Sequence, residues 1–341
     1  MLASPGTYPA TAWERDRFVL DRRPPRLVHD PWKYQGVVVE DERTDAGSIG
    51  RTVTVFLTGR ECPWRCVMCD LWQHTITGDT PEGAIPAQLS AAWKALRRHQ
   101  EQVTQVKLYN AGSFFDPRAV PERDYCAIAA ELSGVARVIV ESHPSLIGPR
   151  VDRFLEALDR GPGAGSAPTL EVAMGLETAH PVALERLNKR MTVESFASAA
   201  AALRRRNVAL RAFLLIAPPF VPPDEQDVWL LRTTEVAFTC GATAVSLIPT
   251  RHGNGALDAL ADQSSFRAPR LTDIERSLEL AHAARATAGG RILVDIWDLE
   301  RFSECEHCFV ARRDRLHAMN LEQRCLPPLS CTRRGSAAAS C

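Results

Sequence analysis

Cys62, Cys66 and Cys69 lie on one short stretch, Glu61-Cys62-Pro63-Trp64-Arg65-Cys66-Val67-Met68-Cys69-Asp70-Leu71-Trp72, with the spacing C-x3-C-x2-C. Three thiolates on one loop can hold three irons of a four-iron cluster and leave the fourth unclaimed. A fourth cysteine would close such a cluster for electron transfer. A vacant iron can instead be chelated by a small molecule through an amine and a carboxylate. The competing reading is a zinc knuckle completed by His74. Against it, zinc sites usually pair two C-x2-C halves rather than crowd three thiols onto one loop.

At these residues the chain resembles the radical SAM superfamily, whose signature is this spacing. The resemblance implies a [4Fe-4S] cluster on Cys62, Cys66 and Cys69, with S-adenosylmethionine (SAM) as the chelating molecule. It also implies one-electron cleavage of the SAM C–S bond and a 5′-deoxyadenosyl radical that abstracts a substrate hydrogen. An electron donor such as flavodoxin or ferredoxin with its reductase is the partner such chemistry needs.

The elements that must position the loop are readable around it. The chain has 341 residues, 45% apolar and 24% charged, enough for one barrel-sized domain with a small appendage. Lys and Arg number 41 against 41 Asp and Glu, so net charge neither demands nor excludes a polyanionic partner. Ten cysteines in a long chain that opens without a charged-then-apolar signal segment read as metal ligands in a reducing cytoplasm. No run approaches a membrane span.

Residues 1–50 carry Arg22, Arg23, Pro24, Pro25 and Arg26 and little periodicity before Gly36-Val37-Val38-Val39-Glu40. They read as a leader packing over a barrel and ending in a short strand, with the Arg run a solvated face. Val53, Val55 and Leu57 then alternate toward the cysteine loop as a first barrel strand. Leu89, Ala92, Trp93 and Leu96 form one face of a helix that Pro86 opens.

The strand-loop-helix unit recurs five more times, with strands near residues 103–109, 135–140, 170–176, 208–216 and 243–248. The strands look too continuously apolar to face water. The recurrence predicts an α/β fold, a partial (β/α)6 barrel over 51–289 with a small C-terminal metal-binding extension over 290–341, and the resemblance implies that the barrel is of the radical SAM kind.

In such a barrel the loops leaving the strand C-termini line the site. After the second strand, Gly112 and Ser113 in Tyr109-Asn110-Ala111-Gly112-Ser113 let the backbone approach a ligand, where radical SAM enzymes carry a glycine-rich motif for the SAM amine. The third strand ends in Glu141, Ser142 and His143, and the fourth in Glu177 and Thr178. A carboxylate there can accept from ribose hydroxyls or balance the sulfonium charge. A structural salt bridge is the alternative for each glutamate.

Met174-Gly175-Leu176-Glu177-Thr178, followed by Leu187-Asn188-Lys189-Arg190, resembles the elongator and methylthiotransferase branch. That likeness implies Lys189 or Arg190 as the cation on the SAM carboxylate. With Leu214-Leu215-Ile216-Ala217-Pro218-Pro219 and Ser246-Leu247-Ile248-Pro249, the chain also resembles the archaeosine-forming radical SAM lyase family. Ile248 stands where Asn is expected and could face the adenine.

The resemblance implies chemistry on a tRNA nucleoside, with tRNA as partner and a cytoplasmic location. The other readings are the same radical chemistry on a small metabolite or peptide, and a noncatalytic iron–sulfur protein that binds RNA or senses redox state.

The last stretch has Arg291–Trp297 as a strand, Cys305-Glu306-His307-Cys308, then Arg312, Arg313 and Arg315 on a helix, then Cys325 and Cys331. Cys305, Cys308, Cys325 and Cys331 are candidate ligands of a second site, zinc or an auxiliary iron–sulfur cluster. The arginines would then offer a basic face beside the barrel mouth. Cys126 and Cys240 read as small apolar fillers.

Overall fold

The computed structural model describes residues 8–96, 103–161, 166–285 and 289–330, and its eight strands form one sheet in sequence order. β1 (Gly36–Arg43) pairs antiparallel with β2 (Ile49–Leu57). Parallel strands then follow in turn: β3 (Val103–Asn110), β4 (Arg137–Glu141), β5 (Thr169–Glu177), β6 (Ala209–Ile216), β7 (Ala244–Pro249) and β8 (Arg291–Val294).

The crossover helices are α2 (Ala84–Ala95), α3 (Tyr125–Glu131), α4 (Pro149–Asp159), α6 (Val193–Arg205), α7 (Gln226–Thr239) and α9 (Leu271–Arg285). The six expected βα units are all present. Four helices complete the chain: α1 (Ala12–Leu20), α5 (Pro181–Arg186), α8 (Ala256–Asp262) and α10 (Glu306–Glu322). The first three of these carry no element in the sequence reading. The sheet also runs past the boundaries drawn at residues 50 and 290, because β1 and β8 are its two edges. Among the described residues, no helix is long and apolar enough to cross a membrane.

Side chains inside the sheet show that it is rolled. On β6, Arg211 donates from Nε to Glu171 of β5 (2.6 Å) and from Nη2 to Glu42 of β1 (2.6 Å). In a flat sheet β1 and β6 would lie about 24 Å apart, five strand spacings. Arg291 of β8 donates to Glu171 (3.0 Å) and to the Arg43 carbonyl of β1 (3.0 Å), and Lys107 of β3 reaches Glu42 (2.6 Å) and Glu40 (2.8 Å). Arg211, Glu171, Glu42, Lys107 and Arg291 are all buried. This ionic belt sits near the N-terminal ends of the parallel strands and floors the barrel.

The strands are therefore not apolar on both faces. Val53, Val55, Leu57, Val106, Leu108, Val138 and Val140 pack outward into the same core as Ile85, Leu89, Ile128 and Phe154 of the helices. The bore takes the alternate positions, where Thr52 and Thr54 on β2 stand in register with Gln105 and Lys107 on β3. α10 packs against both β1 and β8 and covers the seam between the two edges.

Burial alone would raise the Glu171 carboxyl, but the guanidiniums of Arg211, Arg291 and Arg137 outweigh it and hold the group down at about 2. A carboxyl depressed in the folded state contributes stability that is complete above its unfolded range and lost as pH falls through the folded value. Removing one partner of a buried pair strands the other charge. Arg211→Ala should therefore destabilise the fold by about 3–5 kcal/mol in urea titration at pH 7. The deficit should shrink as pH is lowered toward 3 and the glutamates protonate in the variant.

Candidate active site at the barrel mouth

Past β2 the chain enters the cysteine loop, which other parts of the molecule hold by its backbone. The Val67 amide donates to the Leu187 carbonyl (3.0 Å), and Asn188 Nδ2 donates to the Arg65 carbonyl (2.8 Å). From the start of α8, Asn254 Nδ2 donates to the carbonyls of Val67 (2.8 Å) and Cys69 (3.2 Å), while its Oδ1 accepts the Leu257 amide (2.8 Å). Trp64 stacks on His143 with ring centres 3.6 Å apart. Asn188 and Asn254 are both buried. The sequence reading gave neither a role, although Gly253-Asn254-Gly255 carries the signature of a capped turn.

Cys66 is buried, and Cys62 and Cys69 are half-buried. Burial pushes the Cys69 thiol up to about 12, with the Cys62 charge adding to the rise; Cys66 is raised by burial and by both of its fellow cysteines. The three sulfurs thus lie within electrostatic range of one another, and a cation among them would reverse the penalty by taking up thiolates. Among the described residues, no three His, Cys, Asp or Glu side chains close on a single point, either here or in the C-terminal segment. His74 lies beside His29, ring centres 6.0 Å apart.

Three of the expected strand-end residues face the loop as a group. Lys189 Nζ donates to Glu177 Oε1, and the pair occupies the space a side chain at Gly175 would need. Glu177 reaches this position through an irregularity in the β5 ladder and a left-handed backbone (φ 65°). Burial pushes Glu141 up to about 8, the pull of Lys189 being opposed by the charge of Glu177.

His143 is held down at about 4 by burial and by Lys189. Its Nδ1 accepts the Ser145 amide (3.2 Å), which leaves Nε2–H to donate to the Lys189 carbonyl (2.9 Å). Ser113 Oγ accepts the His143 amide (3.0 Å), so its role here is to join two strand ends.

The other expected contacts divide. A side chain at Gly112 would meet the Arg60 carbonyl at 2.7 Å, so the backbone approaches closely there. Beside it, the Asn110 carboxamide is buried with neither its oxygen nor its nitrogen partnered. Arg190 is drawn off the mouth: it pairs with Asp16 of α1 (2.8 Å), leaving Lys189 as the cation at the mouth. Ile248 packs in the apolar cluster that also contains Met68 and Leu215, next to the cysteine loop. Lower in the bore, Tyr109 and Phe213 meet edge to face, 6.1 Å apart.

The C-terminal candidates do not assemble as expected. Cys305 and Cys308 stand at the start of α10, and Cys325 lies beyond its other end, beside the Glu279 carbonyl (3.8 Å). The 17 residues of α10 separate them by about 25 Å, so Cys325 cannot share an ion with the pair. Cys331 lies outside the described residues. Arg312 and Arg315 are buried against Glu275 (2.9 and 3.1 Å), while Arg313 stays exposed beside Asp314, so the three arginines form no common basic face.

No family model matches the chain. Over 244 residues it is 26% identical to the archaeosine synthase subunit beta of Methanosarcina acetivorans, covering 69% of this chain and 68% of that protein. The cysteine spacing, the thiols gathered at a barrel mouth and this relative agree. The chain thus carries the cysteine spacing that radical SAM enzymes share. A [4Fe-4S] cluster and SAM are the cofactors the resemblance implies, and three thiols on one loop together with a buried, unpartnered Asn110 carboxamide are compatible with them.

Among solved structures it is similar to Elp3 of Methanocaldococcus infernus lacking its N-terminus, with TM-score 0.49 and 11% identity over 70% of this chain and 59% of that one. It is also similar to the radical SAM enzyme coproporphyrinogen III oxidase of Escherichia coli, with TM-score 0.44 and 14% identity over 67% of this chain and 51% of that one. The chain thus spans 59% of the Elp3 chain.

Two outcomes follow from this geometry. Glu177→Ala should keep its iron content and lose SAM affinity by one to two decades, the effect of a charge-assisted hydrogen bond worth about 1.5–3 kcal/mol. Calorimetric titration with SAM, alongside iron analysis, reads both. A carboxyl raised in the folded state costs stability as pH rises from its unfolded range through the folded value, here about 8. In the metal-free protein, Glu141→Gln should therefore gain thermal stability over the parent chain, and the gain should widen between pH 6 and pH 9.

Proposed function

We propose that this protein is a radical SAM enzyme that abstracts a hydrogen from a tRNA nucleoside, ending in bond cleavage or rearrangement. The observation that carries the reading is that Cys66, on the loop with Cys62 and Cys69, feels the charges of the Glu177–Lys189 pair at the end of β5, while the unpaired Asn110 ends β3. With both cofactors bound, the chemistry supplied is reductive cleavage of SAM and hydrogen abstraction.

The chain's own residues position and protect that chemistry. Cys62, Cys66 and Cys69 hold the irons. With SAM bound, Asn110 and the backbone around Gly112 would take its amine, Lys189 its carboxylate and Glu177 a ribose hydroxyl. Glu141 carries a proton on its carboxyl at neutral pH and is within electrostatic reach of Lys189 and Glu177. Tyr109 and Phe213 wall the bore below and exclude water from the reacting face.

The tRNA part of the reading is supported by the motif likeness to the archaeosine-forming lyases and by the similarity to archaeosine synthase subunit beta. The basic C-terminal helix does not support it, because its arginines are paired.

The deciding experiment compares tRNA nucleosides by mass spectrometry in cells with the intact gene, without it, and with Cys66→Ala. One nucleoside should vanish or be replaced by a precursor in the last two alike. Purified Cys66→Ala should form no 5′-deoxyadenosine under reducing, anaerobic conditions. Formation by that variant overturns the radical SAM mechanism, and unchanged nucleosides in all three strains overturn the tRNA substrate.

A further inference from the structure

The sequence Arg22-Arg23-Pro24-Pro25-Arg26-Leu27-Val28-His29 crosses the cysteine loop with every third side chain turned onto it. Arg23, Arg26 and His29 face the loop, while Leu27 and Val28 are exposed. A period of three belongs to a polyproline II helix, which Pro24 and Pro25 favour by fixing φ.

Arg23 donates to Glu61 (2.8 Å) and lies over the Trp72 ring, 4.6 Å from its centre. Arg26 takes the other Glu61 oxygen and donates to Thr75 Oγ1 (2.7 Å). His29 Nδ1 accepts from Gln35 Nε2 (3.0 Å), which makes Nε2–H the donor to the Gln73 carbonyl (2.6 Å). Glu61 immediately precedes Cys62, and Trp72, Gln73 and Thr75 follow Cys69, so the segment spans both flanks of the loop.

The segment is itself fastened at both ends. On one side the Tyr8 hydroxyl donates to the Arg186 carbonyl (2.6 Å), and Phe18 and Val19 share an apolar cluster with Val67 and Leu187. The Arg22 carbonyl then fills the space above Gly255, where φ is +82° and no side chain would fit. On the other side Gln35 Nε2 donates to Thr58 Oγ1 (2.7 Å). A loop with little regular structure of its own must lose conformational entropy to present three thiols together. These contacts supply that order from outside the loop.

We propose that residues 22–29 are a clasp that sets the cysteine loop in its ligand-bearing shape before any metal is bound, with Arg23, Arg26 and His29 as positioning residues. The proposal rests on the reading of Cys62, Cys66 and Cys69 as cluster ligands. Its test uses the metal-free chain, so the two can fail separately.

The measurement is iodoacetamide alkylation of the full-length, metal-free, reduced chain, followed cysteine by cysteine by peptide mass spectrometry. Parent, Arg23→Ala/Arg26→Ala, Arg23→Lys/Arg26→Lys and His29→Ala are compared, with the half-buried Cys240 on α7 as the internal reporter of the general fold. In the double alanine variant, Cys62, Cys66 and Cys69 should react about tenfold faster, the equivalent of one lost charge-assisted hydrogen bond, while Cys240 is unchanged. The double lysine variant, which keeps the charge on Glu61, should recover part of the protection.

If the double alanine variant exposes Cys240 as well, His29→Ala decides, since it removes one hydrogen bond to the loop, one to Gln35 and no ion pair. Selective acceleration of the loop cysteines in His29→Ala sustains the clasp. Equal rates in the parent and both alanine variants overturn it, as does acceleration of Cys240 together with the loop cysteines in both.

Discussion

Everything in this molecule is arranged around a set of charges that water cannot reach. Arg211 lies wholly inside the barrel and bonds at once to the strand beside it, through Glu171, and to a strand across the bore, through Glu42. Such an arrangement gains little over a well-packed apolar one, but it is intolerant of any partner missing or displaced. The belt therefore fixes which strands face one another and at what height. It also fills the floor, at the opposite end from the strand C-termini, where the cysteine loop and the strand-end carboxylates lie.

From that mouth outward, the loop borrows its order from its neighbours. Asn188 comes from the turn after α5, Asn254 from the start of α8, His143 from the end of β4, and the arginines from the N-terminal segment. Each of these fixes backbone, an aromatic plane or the Glu61 carboxylate, and none of them bonds to a sulfur.

What could be read in the sequence follows from what is local. The cysteine spacing, the alternation Val53, Val55, Leu57 and the helical face of Leu89, Ala92 and Trp93 are contained in short windows, and each was legible. Glu177 stood out because it ends a strand and Lys189 through the motif resemblance, and the structure pairs the two side chains. Arg23 and Arg26 read as a solvated run because their partner, Glu61, lies some forty residues away, and Arg312 and Arg315 misled in the same way through Glu275. The polar lining of the bore was hidden for a related reason: Lys107 and Arg211 look like interruptions of apolar strands until Glu42 is placed beside them. α1 was missed although Thr11 and Glu14 form a complete capping box, because a nine-residue helix after an unpatterned opening carries little apolar period.

The seam between β1 and β8 has a mechanical consequence. Along the rest of the ring, neighbouring strands are joined by main-chain ladders, but the first and last strands are bridged by the Arg291 guanidinium and covered by α10. The barrel is a split ring. Widening it at the seam stretches side-chain contacts and slides one helix, whereas widening it anywhere else would break a row of backbone hydrogen bonds. Girth is thus the most compliant dimension of the bore, while the height of the floor beneath the mouth stays fixed.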